Sequence, residues 1–424
     1  MRILVSAYAC EPGRGSEPGV GWNIAKNLAD YVELIVITRK DVKEKIESKL
    51  LDCEFKQRLE FYYVDLPEFL LKFFINVDRL IYLHYMLWNV ASTIRAFKIS
   101  RKYTIDLVHN LTFVNNWLPP FVGLINKPFL WGPIGTNPYI PLKALKSFKA
   151  KMHNLLRNAI LSFFRVLNPF LYLIIAKATK IIVINRDCRN QLPYRFFPDS
   201  KFVILPAIGV EESYTEEFLK RDYSRKVEEV RLLYVGAFGD FGRSIIKGME
   251  LLLYSFATLL EKFPGIRFKL IVLGDGPSMP YYQKLAQRLG ILDYVDFVGF
   301  VSREKVKEYL LNSDIFFYPS FEGGGIALLE AMATGLPVVC LDFGGPGEFV
   351  TESSGIKVKL GSFKQMCEDL ANAVAKLALD QNLRESLGKN AAKLVKEKYT
   401  WASKVNKIYK IYQSILTHEH PDYT

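Results

Sequence analysis

Short apolar segments alternate with amphipathic, helix-like stretches along the chain, and this alternation limits the fold more than any other feature of the sequence. In the first half, four such segments are typical of buried strands: Ile3–Ser6, Leu34–Thr38, Leu107–His109 and Ile181–Ile184. A helical pattern at Trp22–Ala29 follows the first of them. Strands that alternate with helices favour a mainly parallel sheet covered on both faces. The first half therefore predicts a doubly wound α/β domain of Rossmann type.

The second half repeats this alternation more regularly. Strands are predicted at Arg231–Val235, Phe268–Leu273, Val295–Val298, Ile315–Tyr318 and Val338–Cys340, and helices at Gly248–Lys262, Tyr281–Leu289, Glu304–Asn312 and Leu328–Ala333. A chain of 424 residues is long enough for two such domains. We predict one domain over residues 1–208 and a second over residues 209–399, with the charged stretch Glu211–Glu229 as the linker and a closing helix at Trp401–Leu416.

The net charge of +12 is concentrated in the first half of the chain. Residues 1–208 contain 29 Lys and Arg against 16 Asp and Glu, whereas residues 209–424 contain 27 against 28. Residues 79–186 contain 15 basic residues and a single acidic one, Asp106. A surface without interleaved acids indicates that an anionic partner meets this half.

Part of this basic half also carries many large apolar residues. Between residues 141 and 180, the cations Lys143, Lys146, Lys149, Lys151 and Arg157 are interspersed with leucines and phenylalanines. A helix here would bring many apolar residues to one side. It would be either a core-packing helix with a basic outer face or an interfacial helix on anionic lipid. An anionic membrane surface is therefore one expected partner.

The cysteines and the N-terminus favour a reducing compartment. Five cysteines, Cys10, Cys53, Cys188, Cys340 and Cys367, are scattered without a CxxC pair. The opening MRILVSAY runs directly into a strand pattern rather than a signal peptide. Two apolar regions, 69–91 and 158–176, are interrupted by charges and lack the roughly 20 apolar residues of a membrane span. We expect a cytoplasmic protein, or one peripheral on the inner face of the plasma membrane.

The segment SFEGGGIALLEAMATGLPVV, residues 320–339, carries the strongest chemical signal. Its glycines Gly323, Gly324 and Gly325 follow a strand and precede a helix that starts near Ile326, an arrangement in which backbone N–H groups and the helix dipole favour a diphosphate. Glu322 could accept hydrogen bonds from sugar hydroxyls, and Glu330 from a ribose diol. Taken alone, the two acids could equally be ordinary solvated charges.

The context of these acids resembles glycosyltransferase family 4. Glu322 and Glu330 match its E-x7-E signature, and EAMATGLPVV matches the run that follows. The resemblance extends over residues 230–415 through YVGAFG, RSIIKG, LIVLGDGP, VDFVGFVSREKV and YTW. Gly324 stands where the family usually has an aromatic residue.

This resemblance implies a GT-B fold, in which two Rossmann-like domains face each other across a cleft and a C-terminal helix, here 400–416, returns to the first domain. It implies retaining transfer from a nucleotide-sugar donor of UDP or GDP type, with no cofactor, to a glycan or lipid-linked acceptor. Arg243 and Lys247 would neutralise the donor diphosphate, and Glu322 would position the sugar. No D-x-D occurs in the chain, so no metal site is expected.

The first half carries weaker matches to one branch of the same family. The turn GSEPGVGW and the segment WGPIGT resemble that branch, which implies that Gly19 and Gly21 border the diphosphate and the acceptor. His109 ends the strand Ile105–His109, where family members place a histidine close to the reacting sugar. A lone histidine at a strand end is also a common structural feature, and its role stays open here.

Two other functional classes fit parts of the sequence. The same fold occurs in nucleotide-sugar epimerases and phosphorylases, although we find no pyridoxal-binding lysine region. A nucleic-acid binder would use the basic half, but the chain has no recognised nucleic-acid motif and such a protein would not need Glu322 and Glu330. We therefore do not expect nucleic acid as a partner.

Overall fold

The computed structural model describes residues 1–51, 57–67, 80–224 and 228–417, which form two compact units. The first unit comprises described residues of Met1–Thr136 and Leu161–Ile208 together with the segment from Trp401 onward. The second comprises Asn137–Ile160 and Gly209–Thr400. Cys53, His418 and His420, and residues 69–79 of the first apolar region, lie outside the described residues.

The first unit is built on a parallel sheet of seven strands in the order β3-β2-β1-β4-β5-β6-β7. The strands are β1 (Arg2–Ala7), β2 (Glu33–Arg39), β3 (Leu59–Val64), β4 (Leu107–Thr112), β5 (Phe129–Ile134), β6 (Lys180–Val183) and β7 (Phe202–Ile204). The described α-helices up to β7 are α1 (Ser16–Leu28), α2 (Lys43–Leu51), α3 (Ile81–Lys102), α4 (Phe148–Val166), α5 (Pro169–Lys177) and α6 (Arg186–Gln191).

Alternating burial along the central strands explains why helices cover both faces of this sheet. On β1, Ile3 and Val5 pack with α1 on one face, whereas Leu4 packs with Tyr85 and Trp88 of α3 on the other. These side chains are almost fully buried. A strand with apolar side chains on both faces buries them all only when helices cover both faces of its sheet.

The second unit repeats this architecture with a parallel sheet of six strands, ordered β10-β9-β8-β11-β12-β13. Its strands are β8 (Val230–Val235), β9 (Phe268–Leu273), β10 (Val295–Gly299), β11 (Ile315–Tyr318), β12 (Val338–Leu341) and β13 (Gly355–Val358). The α-helices described in this part are α7 (Glu212–Glu217), α8 (Phe241–Ile246), α9 (Met249–Lys262), α10 (Met279–Arg288), α11 (Arg303–Asn312), α12 (Ile326–Ala333), α13 (Gly344–Phe349), α14 (Phe363–Leu379) and α15 (Gln381–Lys398).

The last described helix, α16 (Trp401–Thr417), belongs to the first unit, where it packs against α1. Its apolar residues Val405, Ile408, Ile411 and Tyr412 are buried in the same cluster as Ile3 and Val5. The predicted return of the C-terminal helix to the first domain is therefore confirmed, and so are two doubly wound parallel sheets.

Two predictions about organisation differ from the structure. The sequence places residues 137–160 in the first domain, but they belong to the second unit. There, Asn137 Oδ1 accepts a hydrogen bond from Gly323 N at 3.2 Å. Lys146 Nζ lies 3.5 Å from the Tyr254 ring centroid. The stretch Glu211–Glu229 is not a free linker in its described part. It contains α7, and Arg221 donates to the carbonyl of Ser313 at 3.1 Å.

Candidate active site

An open cavity of about 330 Å³ lies at the carboxyl edge of the second sheet. Val235, Leu273 and Tyr318, the last residues of β8, β9 and β11, contribute to its wall. Ligands of open α/β sheets bind at this edge, because the strand ends converge there and the helix N-termini point toward it. The cavity is lined by Lys247, Glu322, Ile326 and Glu330, which are four of the residues predicted from the sequence.

Glu322 is held rigidly at the mouth of the loop after β11. Its Oε2 accepts hydrogen bonds from the hydroxyl of Tyr318 and from Ser320 Oγ, the latter at 3.1 Å. Its Oε1 accepts a hydrogen bond from Lys247 Nζ at 2.5 Å. The Glu322 and Lys247 side chains are 17% and 24% exposed, so the ion pair borders the cavity and can still be reached by a ligand.

Lys247 is positioned by the backbone around it. Its carbonyl accepts a hydrogen bond from the buried Tyr234 hydroxyl at 2.9 Å. The next residue, Gly248, has φ +70°, and a Cβ there would lie 1.9 Å from the Pro319 carbonyl oxygen. Only glycine therefore fits between the start of α9 and the end of β11, and this close approach brings Lys247 to Glu322.

Tyr234 and Tyr318 form a stacked pair beneath the ion pair, with ring centroids 5.7 Å apart. Burial raises the pKa of both phenols well above the usual value, and the nearby negative charge of Glu322 adds to the shift. Both hydroxyls therefore stay protonated and act as fixed hydrogen-bond donors.

The glycine loop supplies backbone donors beside these side chains. Gly325 precedes α12 with φ +141°, and no side chain caps this helix. Ile326 and Ala327, the first two residues of α12, line the cavity. Gly323 donates its N–H to Asn137, which fixes the loop on one side. The N-terminus of α12 thus presents its partial positive charge at the cavity.

Glu330 lies about one turn along α12 and is partly buried. Burial raises the pKa of its carboxyl to about 7, against the opposing effects of the Arg303 cation and of a hydrogen bond donated by Tyr214. Lys307 Nζ, 4.6 Å from the Tyr214 ring centroid, adds a second nearby cation. Near neutral pH, Glu330 can therefore be present in both protonation states.

Arg243 is not found among the described residues that line this cavity. It lies exposed on α8, where its backbone N–H donates to the N-cap Asp240 at 2.9 Å. Its side chain covers Gly239, since a Cβ added there would lie 2.8 Å from Arg243 Cδ. Of the two predicted cations, Lys247 therefore lines the cavity with Glu322 and Glu330, whereas Arg243 does not.

His109 in the first unit has no ring nitrogen free for a ligand. It is fully buried, its Nε2 donates to the Gly132 carbonyl at 2.5 Å, and its Nδ1 accepts from the Tyr412 hydroxyl at 2.7 Å. Burial lowers its pKa to about 4, which fixes the neutral form. These contacts are those of a structural histidine, and nothing in them supports the predicted catalytic role.

Gly19 and Gly21 allow α1 to pack closely against the segment that precedes it. A Cβ at Gly19 would lie 2.2 Å from the Arg14 carbonyl oxygen, and one at Gly21 would lie 2.1 Å from that of Ala9. Nearby, Glu17 accepts a hydrogen bond from the Val114 N–H, and burial raises the pKa of its carboxyl to about 7. The glycines let the helix approach the preceding loop. A role beside a diphosphate or an acceptor stays a prediction.

Several residues that build the site were not anticipated. Tyr318 and Ser320 hold Glu322, and Tyr214 and Arg303 surround Glu330. A tyrosine four residues before the first acid is a signal that could have been used for Tyr318, whereas Tyr214 lies far away in the sequence. Within the described ranges, no three His, Cys, Asp or Glu side chains group together as metal ligands.

The sequence of the second unit matches a known family. Residues 216–394 match the family model of glycosyl transferases group 1. The chain is 30% identical over 258 residues to an uncharacterized glycosyltransferase of Methanocaldococcus jannaschii, and 28% identical over 225 residues to the lipopolysaccharide glucosyltransferase WaaG of Escherichia coli. The matches cover 58% and 51% of this chain, and 63% and 57% of those relatives, which is less than two thirds of their length.

The whole fold is similar to solved structures. HepE of Anabaena in complex with UDP matches with a TM-score of 0.61 at 16% identity, over 98% of this chain and 100% of that one. At this identity the likeness shows the fold alone. It confirms the predicted GT-B class, with two Rossmann-like parallel-sheet domains.

Proposed function

We propose that this protein is a metal-independent, retaining hexosyltransferase that moves a sugar from a nucleotide-diphosphate sugar to an acceptor hydroxyl. The observation that carries the proposal is the arrangement of Lys247, Glu322 and Glu330 around one cavity at the strand ends. A cation, a fixed carboxylate and a second carboxylate match the diphosphate, the sugar and the ribose of such a donor.

Each group has a distinct role in the proposed reaction. Lys247 neutralises the charge that develops on the diphosphate as it leaves, and the N–H groups at the start of α12 assist it. Glu322, fixed by Tyr318 and Ser320, accepts hydrogen bonds from the sugar hydroxyls and does not act as a covalent nucleophile. In a retaining reaction of this kind, the acceptor hydroxyl attacks on the face from which the diphosphate departs. Preorganised charges of this type need no reorganisation during the reaction.

Glu330 binds the ribose hydroxyls of the donor in this proposal. Its position about one turn into α12 lets it reach the cavity, and Tyr214 together with the cations Arg303 and Lys307 of α11 lies close to its carboxylate. The donor nucleotide is of UDP or GDP type, and HepE in complex with UDP supports the first of these. Arg243 remains part of the proposal as a second diphosphate ligand that must approach from α8.

We further propose a glycan or lipid-linked acceptor and a cytoplasmic location, either free or at the inner face of the plasma membrane. The similarity to WaaG, a lipopolysaccharide glucosyltransferase, supports a glycan acceptor that is attached to lipid. The excess of basic residues in the first half of the chain supports a location next to an anionic surface.

Donor binding and product stereochemistry test this proposal. A thermal-shift screen against UDP-, GDP- and ADP-hexoses should show stabilisation by one nucleotide class, since a ligand that binds the native state raises the melting temperature. With that donor and a panel of glycan and lipid-linked acceptors, proton NMR of the product should show the anomeric configuration of the donor. An inverted product would refute the retaining mechanism, and no stabilisation by any donor would refute the donor site.

The same assays separate the rival classes. A nucleotide-sugar epimerase would convert the donor without any acceptor, and a phosphorylase would release sugar phosphate when inorganic phosphate is added. Acceptor-dependent release of the nucleoside diphosphate without either reaction is the result that we expect.

A further inference from the structure

Helix α4 presents its apolar side chains to solvent rather than to the protein. Phe148, Leu156 and Phe163 of this helix, and Leu167 just after it, are 76%, 60%, 60% and 63% exposed. Exposed Met152, Leu155, Ile160 and Phe164 lie between them. The spacing of three to four residues places these side chains along one face of a helix. We call this face the outward apolar stripe.

The opposite face of the same helix is polar and faces inward. Asn154 is buried and donates to the Ile140 carbonyl at 2.6 Å. Arg157 donates to the Asn137 carbonyl at 2.7 Å, and the buried Arg165 donates to Asn116 Oδ1 at 3.0 Å. These hydrogen bonds fix the rotation of α4 about its axis. The outward apolar stripe therefore cannot turn toward the core.

Other exposed apolar and aromatic side chains extend the stripe within the first unit. The Phe164 ring lies 5.5 Å from that of Trp117, and the Trp117 ring lies 5.0 Å from that of Tyr82, which is 46% exposed. On α5, Phe170 is 54% exposed. Tryptophan and tyrosine are the side chains that prefer the boundary between hydrocarbon and water.

The charges around the stripe fit an anionic surface. No Asp or Glu occurs between Asp106 and Asp187, so α4 and α5 lack acidic residues entirely. Lys143 and Lys149 are exposed on or just before α4, and Lys151 is partly exposed. A helix with lysines beside large apolar side chains is typical of segments that lie in the headgroup region of anionic bilayers.

The helix geometry favours a surface position over a membrane span. Among the described residues, no single helix is long and apolar enough to cross a membrane. Helices α4 and α5 together have the required length and apolar content, but they are bent by 63° at the break between them. Two bent, apolar helices with cations beside them fit a layer of lipid headgroups better than the hydrocarbon core.

We propose that α4 docks this protein onto an anionic lipid bilayer, with the outward apolar stripe inserted at the boundary between headgroups and acyl chains. Lys143, Lys149 and Lys151 contact the headgroup phosphates. This inference rests on the membrane location proposed above and deepens it by naming the docking surface, and it does not depend on the transfer reaction.

Vesicle flotation with matched variants tests the docking surface. The full chain is mixed with vesicles of phosphatidylcholine alone or with 30% phosphatidylglycerol, at low and at high salt. We expect at least tenfold more bound protein on the anionic vesicles, and a large loss at high salt because screening weakens the lysine contacts. The triple variant Leu156→Ser, Phe163→Ser, Leu167→Ser should lose at least tenfold in binding.

Two control variants separate the stripe from general effects of apolarity and charge. Leu51, Leu219 and Leu379 are 74%, 84% and 70% exposed elsewhere on the protein, and changing all three to Ser should leave binding unchanged. Changing Lys143, Lys149 and Lys151 to Gln should reduce binding, whereas changing Lys364, Lys393 and Lys396 of α14 and α15 to Gln should not.

Hydrogen exchange on the unmodified protein gives a second measurement, which cannot be affected by a change in folding caused by a substitution. Anionic vesicles should slow exchange in peptides that cover residues 148–167. Equal flotation of the stripe variant and the unmodified protein would overturn the proposal. It would also be overturned if the unmodified protein ignored both vesicles and formed a dimer that the stripe variant abolished, since a second copy would then cover the stripe.

Discussion

The Nζ atom of Lys247 lies 2.5 Å from Oε1 of Glu322, and this contact joins the first helical turns after β8 to the loop after β11. The two side chains neutralise each other while the cavity is unoccupied by an anion. A donor diphosphate would compete with Glu322 for the lysine. In the proposed reaction, the pair would therefore couple binding of the diphosphate to binding of the sugar.

Changing Lys247 to Ala should weaken binding of the nucleoside diphosphate much more than binding of the nucleoside. The variant removes a cation and leaves the Glu322 charge facing the phosphates. A charged hydrogen bond contributes roughly 1.5–3 kcal/mol, so we expect a loss of about ten- to hundredfold. Isothermal titration with both ligands measures it, and equal losses for the two would show that Lys247 does not contact phosphate.

Changing Glu322 to Gln should abolish transfer while the protein stays folded. The substitution keeps the volume but removes the charge that accepts from Tyr318 and Ser320. Turnover should fall by at least ten- to hundredfold, on the basis of roughly 1.5–3 kcal/mol for a charged hydrogen bond. Glu352→Gln, on an exposed glutamate outside the cavity, is the matched control. Unchanged turnover in a folded Glu322→Gln protein would exclude Glu322 from the reaction.

Donor affinity should fall as the pH drops from 8 to 6. The folded-state pKa of Glu330 is about 7, so the carboxylate that accepts from ribose becomes protonated across this range. Titration of the nucleotide sugar, whose diphosphate does not ionise between pH 6 and 8, should show a midpoint near 7. The Glu330→Gln variant should bind weakly with no such midpoint.

The variant Tyr214→Phe tests the same pH dependence of donor affinity. Loss of the hydroxyl that donates to the Glu330 carboxylate removes a stabiliser of the charged form, so the midpoint should move to higher pH. Tyr294→Phe, on an exposed tyrosine, should leave it in place. A midpoint that is unchanged by Tyr214→Phe would show that the Tyr214 hydroxyl does not influence donor binding through the ionisation of Glu330.

His109→Ala should destabilise the protein without a large effect on turnover in the folded fraction. The variant leaves the Gly132 carbonyl and the Tyr412 hydroxyl without their buried partner, which costs about 1–3 kcal/mol for each group left unsatisfied. Thermal unfolding and kinetics check the two parts separately. A stable but inactive His109→Ala protein would instead support the catalytic role predicted from the sequence.

The contribution of His109 to stability should also depend on pH. Its folded pKa is about 4, against an ordinary value of 6.5, so the unfolded chain binds more protons between these values. Stability from this group is complete above pH 6.5 and is lost as the pH falls toward 4. The His109→Ala variant should lack this part of the acid-induced loss of stability.

Transfer should survive EDTA. The sequence has no D-x-D, and in the proposed reaction Lys247 and backbone N–H groups, rather than a metal ion, neutralise the diphosphate. Initial rates before and after chelation should agree within about twofold. Complete loss with recovery on adding Mg²⁺ or Mn²⁺ would require a metal in the leaving-group chemistry.

The strands that sequence patterns located well are those with uninterrupted apolar runs. Phe268–Leu273 and Ile315–Tyr318 agree with β9 and β11 residue by residue. The strand β5 was missed because Gly132 and Pro133 interrupt it, and both residues are unfavourable in strands. Short β13, GIKV, has too few apolar residues for its pattern to stand out.

For the site, the sequence located the charges but not their supports. Glu322 and Glu330 were assigned to one site because the sequence around them resembles a family signature, and both acids line the cavity. The contact of Tyr214 with Glu330 depends on how α7 packs beside α12, which no local pattern records. Arg243 illustrates the opposite case, because its proximity in sequence to Lys247 did not bring it into the cavity lining.

Helix α16, which carries the Tyr412 partner of His109, belongs to the core of the first unit, and this has a consequence for biosynthesis. Residues 401–417 are translated after the whole second unit, yet Val405, Ile408 and Ile411 fill the core of the first. On the ribosome, the second unit can therefore acquire all of its strands while the first still lacks a core helix. During this interval the apolar residues of α1 and of the sheet that α16 later covers stay exposed to water, and a chaperone would find them there.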